Sequence, residues 1–169
     1  MKQKTAEDIL RQYKSGYRDF KGVIVNNGNF TQRRLNNVVL EGADLIGCNF
    51  EKALLQNANL SAAILRNVNF KQANMSKADL RGADLRGASL RSVDLSGADL
   101  RWANLEGVDL SGSIIAKANF DGANLKNASL KHTDPGKWWW KANLQEAKLD
   151  NTILPDGTVF SQIAGSTSE

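Results

Sequence analysis

The stretch ADLRGADLRG (residues 78–87) decides the fold, because it repeats one five-residue pattern twice in succession. A bulky apolar residue returns at every fifth position from Phe20 to Leu130 without a polar exception, and we label each of these positions i. Position i−2 is small from Val38 to Thr133. Position i−1 is Asp or Asn in most repeats, and glycine is frequent at position i+2.

A period of five residues excludes one long helix or one long strand. Five steps of about 100° turn a helix by about 140°, so the apolar series would pass around every face. In a strand, an odd spacing sends successive apolar residues to opposite faces. The pattern therefore predicts short extended pieces, with i−2 and i inward, joined by turns at which glycine tolerates positive φ. The result is a solenoid in which each side is one pentapeptide.

These repeats resemble the pentapeptide-repeat proteins, as in ADLIG (residues 43–47) and ADLRG (residues 83–87). The resemblance covers residues 20–133 continuously and returns one residue out of phase near Ala142. It implies an all-β solenoid, a right-handed quadrilateral β-helix with four pentapeptides per coil. The segment before the repeats is similar to the N-terminal cap of cyanobacterial members. The resemblance implies a fold and names no activity.

The pattern divides the chain into five segments. We predict an N-terminal capping helix in residues 1–19, which begins at Thr5 and has an apolar stripe that starts at Ile9. The later segments are the β-helix (20–133), a register-slip loop (134–141), out-of-phase final repeats (142–154) and a C-terminal cap and tail (155–169). Within the end of the chain, residues 154–160 are expected to form a turn and an apolar plug.

Composition narrows the function classes. The chain has 169 residues, a net charge of +4, one Cys and one His. One Cys excludes an internal disulfide and a Cys-based zinc site, and one His disfavours histidine-centred catalysis. No apolar run reaches membrane length, and the first thirty residues carry no signal-peptide core. We therefore expect a soluble cytoplasmic protein that is not an enzyme and has no cofactor, metal or membrane contact.

The predicted inward positions include one charged residue and one thiol. Arg33 is charged at position i−2, and an unpaired buried charge is prohibitive, so the first coil is expected to be irregular or open to solvent there. Cys48 is interpreted as a small buried apolar residue without a redox role.

The candidate partner-binding residues all lie at predicted outward positions. Trp102 stands at i+2 beside Arg101, and Trp and Arg are enriched at binding hot spots. The predicted register-slip loop contains a tryptophan triplet. If the spacing of the later repeats is continued backwards into this loop, two of the three tryptophans face outward, although the triplet could instead shield the last coils. The complete candidate set is Arg81, Arg86, Arg91, Arg101, Trp102, Trp138 and Trp140.

Three function classes remain open. The leading one is a non-enzymatic protein–protein interaction scaffold or regulatory protein that displays its rigid outer faces to a protein partner. A DNA-mimicking, gyrase-interacting protein is disfavoured, because that mechanism needs an acidic rod and this chain has a pI near 9.3. A nucleic-acid binder that uses the arginine cluster is also disfavoured, since +4 is a weak charge for that role. A homodimer through one solenoid end stays open as well.

Overall fold

The computed structural model describes residues 2–134, 144 and 147–160. Its regular elements are helix α1 (Ala6–Lys14) and strands β1 (Thr152–Ile153) and β2 (Val159–Phe160). Most of the predicted register-slip loop lies outside the described residues, and so does most of the C-terminal tail.

Helix α1 begins after Thr5, as the sequence predicts. The Asp8 backbone N–H donates to Thr5 Oγ1 at 3.1 Å, and the Thr5 N–H donates to Asp8 Oδ2 at 3.2 Å, which together form a capping box. Ile9 is buried, and Leu10 and Tyr13 pack against the core beside it. The Tyr13 hydroxyl donates to the Asn36 carbonyl at 2.9 Å, which ties the helix to the first coil.

The repeats wind into coils of 20 residues. Each i−1 residue from Asp19 to Ile114 bridges in parallel to the residue 20 positions later, as Asp79 does to Asp99 and Asp99 does to Asn119. The Leu80 N–H donates to the Asp99 carbonyl at 2.7 Å, one coil later. Four pentapeptides therefore complete one coil. The pairing consists of isolated bridges and not of long strands, because each side has only a short extended piece between two turns.

The interior follows the predicted pattern closely. Every i residue from Phe20 to Leu130 is buried. The stacked rings of Phe30, Phe50 and Phe70 form an aromatic column with centroids 4.5 and 5.3 Å apart. Cys48 is buried and donates its thiol proton to the Val25 carbonyl at 2.9 Å, and burial raises the pKa of this thiol to about 11.

Each corner has the same backbone conformation. Every i+2 residue from Gly22 to His132 has a φ between 53° and 71°, whether or not it is glycine. The N–H of the next i−2 residue closes the turn by donating to the carbonyl of residue i, as Ala83 does to Leu80 at 3.1 Å. The corners thus impose a left-handed backbone but no particular side chain.

Arg33 is open to solvent, which is one of the two outcomes expected for it. Its backbone stays regular, because its N–H donates to the Phe30 carbonyl at 3.1 Å and its carbonyl accepts from the Leu54 N–H at 2.9 Å. Arg33 and Arg34 stand in the first coil, where charged side chains discourage pairing with another chain's backbone.

The final coil contains four extra residues. Asn124 bridges to Lys148 and Ser129 bridges to Ile153, a spacing of 24 residues where earlier coils have 20. Strands β1 and β2 then pair as an antiparallel hairpin. Val159 and Phe160 are 54% and 37% exposed, so the expected apolar plug is wrong for these two side chains.

Candidate interaction surface

Trp102 stands at a corner of the solenoid among small residues. The residues at this corner of the other coils are Gly22, Gly42, Ala62, Gly82 and Gly122. The φ of Trp102 is 58°, a left-handed value that costs a non-glycine residue about 1–2 kcal/mol. The side chain contributes little to the core, since the residue is 62% exposed.

The Trp102 ring lies against the backbone of the following coil at Gly122. A Cβ atom at Gly122 would be 2.5 Å from Trp102 Cδ1 and 2.8 Å from Nε1, far inside normal contact distance. At Gly82, in the same column, a Cβ atom would meet nothing within 4 Å. Glycine at position 122 therefore leaves the space that the indole occupies.

Arg101 lies beside the indole and is held by Asp99. Its Nε donates to Asp99 Oδ1 at 2.9 Å and its Nη2 donates to Oδ2 at 2.7 Å. The guanidinium carbon is 5.4 Å from the Trp102 ring centroid, within the range of a cation–π contact. Burial alone would raise the pKa of Asp99, but the hydrogen bonds from Arg101 lower it overall.

Arg81 repeats this arrangement one coil earlier. Its Nε and Nη2 donate to Asp79 at 2.9 and 2.6 Å, and its Nε also lies 3.8 Å from Asp99 Oδ2. The Arg81 guanidinium holds the pKa of Asp79 below its usual range. A continuous ladder of ion pairs thus lies beside Trp102, formed by Asp79, Arg81, Asp99 and Arg101.

Arg86 and Arg91 are placed on other sides of the solenoid. Each successive pentapeptide forms the next side of a four-sided coil, so these arginines follow Arg81 at the next two corners. Arg86 pairs with Asp84 at 2.7 Å, and Arg91 pairs with Asp109 at 3.5 Å. The structure therefore brings Arg81, Arg101 and Trp102 together but not Arg86 or Arg91.

The aspartate partners were missed in the sequence analysis, although a local signal existed. The tripeptide Asp-Leu-Arg places a carboxylate at i−1 and a guanidinium at i+1, two residues apart on the outer face. It occurs at residues 79–81, 84–86 and 99–101. The role of Gly122 had a weaker signal, namely a glycine 20 residues after Trp102, which is recognisable only once the coil length is known.

Asp121 adds an acidic group next to the ladder. Its carbonyl accepts from the Trp102 N–H at 3.0 Å, so the two residues are neighbours on adjacent coils. The residue is half-buried, and its Oδ1 is buried without a hydrogen-bond partner.

The candidate residues Trp138 and Trp140 lie outside the described residues. Within residues 2–134, 144 and 147–160, no group of three His, Cys, Asp or Glu side chains could hold a metal ion. No helix in these segments has the length and apolar character needed to cross a membrane.

The family model for pentapeptide repeats matches this chain in eight copies, over residues 19–51, 29–61, 53–91, 63–101 and 103–134. The chain belongs to the pentapeptide-repeat family. The matching model describes a repeat and not a catalytic domain. A search among curated proteins found no match.

Solved pentapeptide-repeat structures are similar to this one. Rfr23 from the cyanobacterium Cyanothece 51142 is 24% identical with a TM-score of 0.59, covering 85% of this chain and 99% of that chain, which supports the fold. A pentapeptide repeat protein from the thylakoid lumen of Arabidopsis thaliana is 29% identical with a TM-score of 0.44, covering 60% and 65%. HetL, involved in heterocyst differentiation regulation in Nostoc sp. strain PCC 7120, is 25% identical with a TM-score of 0.27, covering 93% and 100%.

Proposed function

We propose that this protein is a non-enzymatic interaction scaffold that binds a protein partner at the surface formed by Arg81, Arg101 and Trp102. The right-handed, four-sided β-helix that the family resemblance implies is the rigid support for this surface. The observation that carries the proposal is the exposed Trp102 indole, which stands at a left-handed corner and lies on Gly122.

The energetics of Trp102 favour a binding role over a packing role. Glycine would occupy this corner with no left-handed strain, and four other coils have glycine there. Non-glycine residues at other corners share this φ, so the exposed indole, and not the backbone strain, distinguishes Trp102. The indole is also held in place before binding, which lowers the entropic cost of association.

The ion pairs argue against both alternative functions, nucleic-acid binding and DNA mimicry. Arg81 and Arg101 already bind carboxylates, so they offer less charge to nucleic-acid phosphates than a count of arginines suggests. The alternating signs of the ladder do not reproduce the uniformly acidic surface that a DNA mimic needs.

The proposal is tested by capturing partners from an extract of the source organism with three proteins: the wild type, Trp102→Gly and Gln72→Gly. Gln72 is a matched control, because it is exposed at another corner with a φ of 59°. We expect the wild type and Gln72→Gly to capture one common protein and Trp102→Gly to lose it. Equal capture by all three proteins would contradict the proposal.

Trp138 and Trp140 remain a sequence prediction of further contact residues. Trp138→Ala and Trp140→Ala variants test them in the same capture experiment, and retention of the partner by both would remove them from the surface.

A further inference from the structure

We infer that the partner presents a basic side chain, Lys or Arg, to the Trp102 surface, with the indole ring and the Asp121 carboxylate as its two contacts. This inference rests on the proposed function and adds the chemistry of the partner.

The charge of the surface is the first argument. Among the charged residues of the ladder and its neighbour, three carboxylates face two guanidinium groups, so the surface carries one net negative charge. Each arginine uses its Nε and Nη2 atoms on an aspartate. Among the described residues Asp121 forms no close ion pair, although its charge acts on Arg101, and complementary charges favour a cationic partner.

The unsatisfied oxygen of Asp121 is the second argument. Its Oδ1 is buried and accepts no hydrogen bond, whereas Asp79, Asp84 and Asp99 each accept from an arginine. A buried acceptor that receives no hydrogen bond costs the folded protein free energy. Because Oδ1 has no accessible surface, an ammonium or guanidinium group from a partner would contact this carboxylate through Oδ2, which no arginine of the described residues occupies.

The exposed ring of Trp102 is the third argument. Indole is the aromatic group that attracts cations most strongly through its face. The charge of neighbouring Arg101 is neutralised by Asp99 at 2.7 Å, which reduces its repulsion of a second cation. The ring and the carboxylate belong to adjacent coils joined by the Trp102 N–H to Asp121 carbonyl hydrogen bond, so one side chain could contact both.

The test is an NMR titration of the full ¹⁵N-labelled chain with two short acetylated peptides. One peptide has Lys and Arg between glycines, and the other has Glu and Asp at the same places. The reporters are the Trp102 indole N–H, assigned by its loss in Trp102→Gly, and the Gly122 amide. We expect the basic peptide to shift both signals and the acidic peptide to shift neither.

Two variants sharpen the result. Asp121→Asn should weaken binding of the basic peptide by about threefold to fivefold, the effect of losing one exposed ion pair. The control Gln72→Gly should leave binding unchanged. Raising the salt concentration should weaken binding to the wild type more than to Asp121→Asn, because salt screens the charge that the variant lacks.

The outcomes separate this inference from the proposed function. An acidic peptide that shifts the Trp102 indole would overturn the inference about charge while keeping Trp102 as a contact residue. A basic peptide that leaves both reporters unmoved, or that binds Asp121→Asn equally well, would also overturn it. Partner capture that is indifferent to Trp102→Gly would instead refute the proposed function, whatever the peptides do.

Discussion

The inward columns and the corner column of the same pentapeptides obey different constraints. Every i residue from Phe20 to Leu130 is apolar and buried. Every i+2 residue from Gly22 to His132 shares a left-handed backbone, yet the side chains range from hydrogen to the indole of Trp102.

This difference shows where the chain specifies its fold and where it is free to acquire function. An inward side chain packs against the coils before and after it, so a change of volume affects both. A corner restricts only the backbone and leaves the side chain to solvent or to a partner. Specific binding residues are therefore expected at corners.

The largest expected effect is loss of an inward leucine. Leu85→Ala should lower the free energy of unfolding by about 2–5 kcal/mol, because it leaves a cavity in a fully buried column. The adjacent outward variant Arg86→Ala should have a much smaller effect. Urea unfolding measures both variants, and equal destabilisation would refute the distinction between inside and outside.

A pair of glycine variants tests how Trp102 rests on the next coil. Gly82→Ala and Gly122→Ala both introduce a Cβ at a left-handed corner, with φ values of 64° and 65°. We expect Gly122→Ala to be less stable than Gly82→Ala by roughly 1 kcal/mol, because only its Cβ overlaps the indole. Adding Trp102→Gly to each variant should abolish this difference in thermal unfolding; a difference that persists would show that the indole does not lie on Gly122.

Acid should weaken the outer ion pairs in a predictable direction. The hydrogen bonds from Arg86, and then those from Arg66, hold the pKa of Asp84 below its usual value of about 4. A carboxyl whose pKa is lower in the folded state stabilises the fold above the unfolded-state pKa and loses this contribution as pH falls.

We therefore expect the melting temperature of the wild type to fall between pH 5 and pH 3, approximately the range in which unfolded aspartate titrates. Asp84→Asn should fall less steeply over the same range, and its fold should persist because Asn104 occupies the same column. Identical pH profiles for the two proteins would show that this ion pair contributes nothing to the pH dependence.

The repetitive features could be predicted from the sequence, because the same inward, outward and turn positions recur in every pentapeptide. The inward columns, the turns and the start of helix α1 at Thr5 are confirmed. The four extra residues of the final coil could not be counted in advance, since a one-residue phase shift fits several insertion lengths. The Asp99–Arg101 pair and the contact of Trp102 with Gly122 depend on which outer atoms meet, which hydrophobic periodicity does not report.

The most direct test of Trp102 as a binding residue measures stability and binding in one variant. Trp102→Gly loses partial burial of the indole but also loses left-handed strain, so its free energy of unfolding should change by no more than about 1 kcal/mol. The affinity of the captured, purified partner should fall at least tenfold, while the control Gln72→Gly keeps wild-type affinity. A loss of several kcal/mol of stability with unchanged affinity would contradict this result and make Trp102 a packing residue.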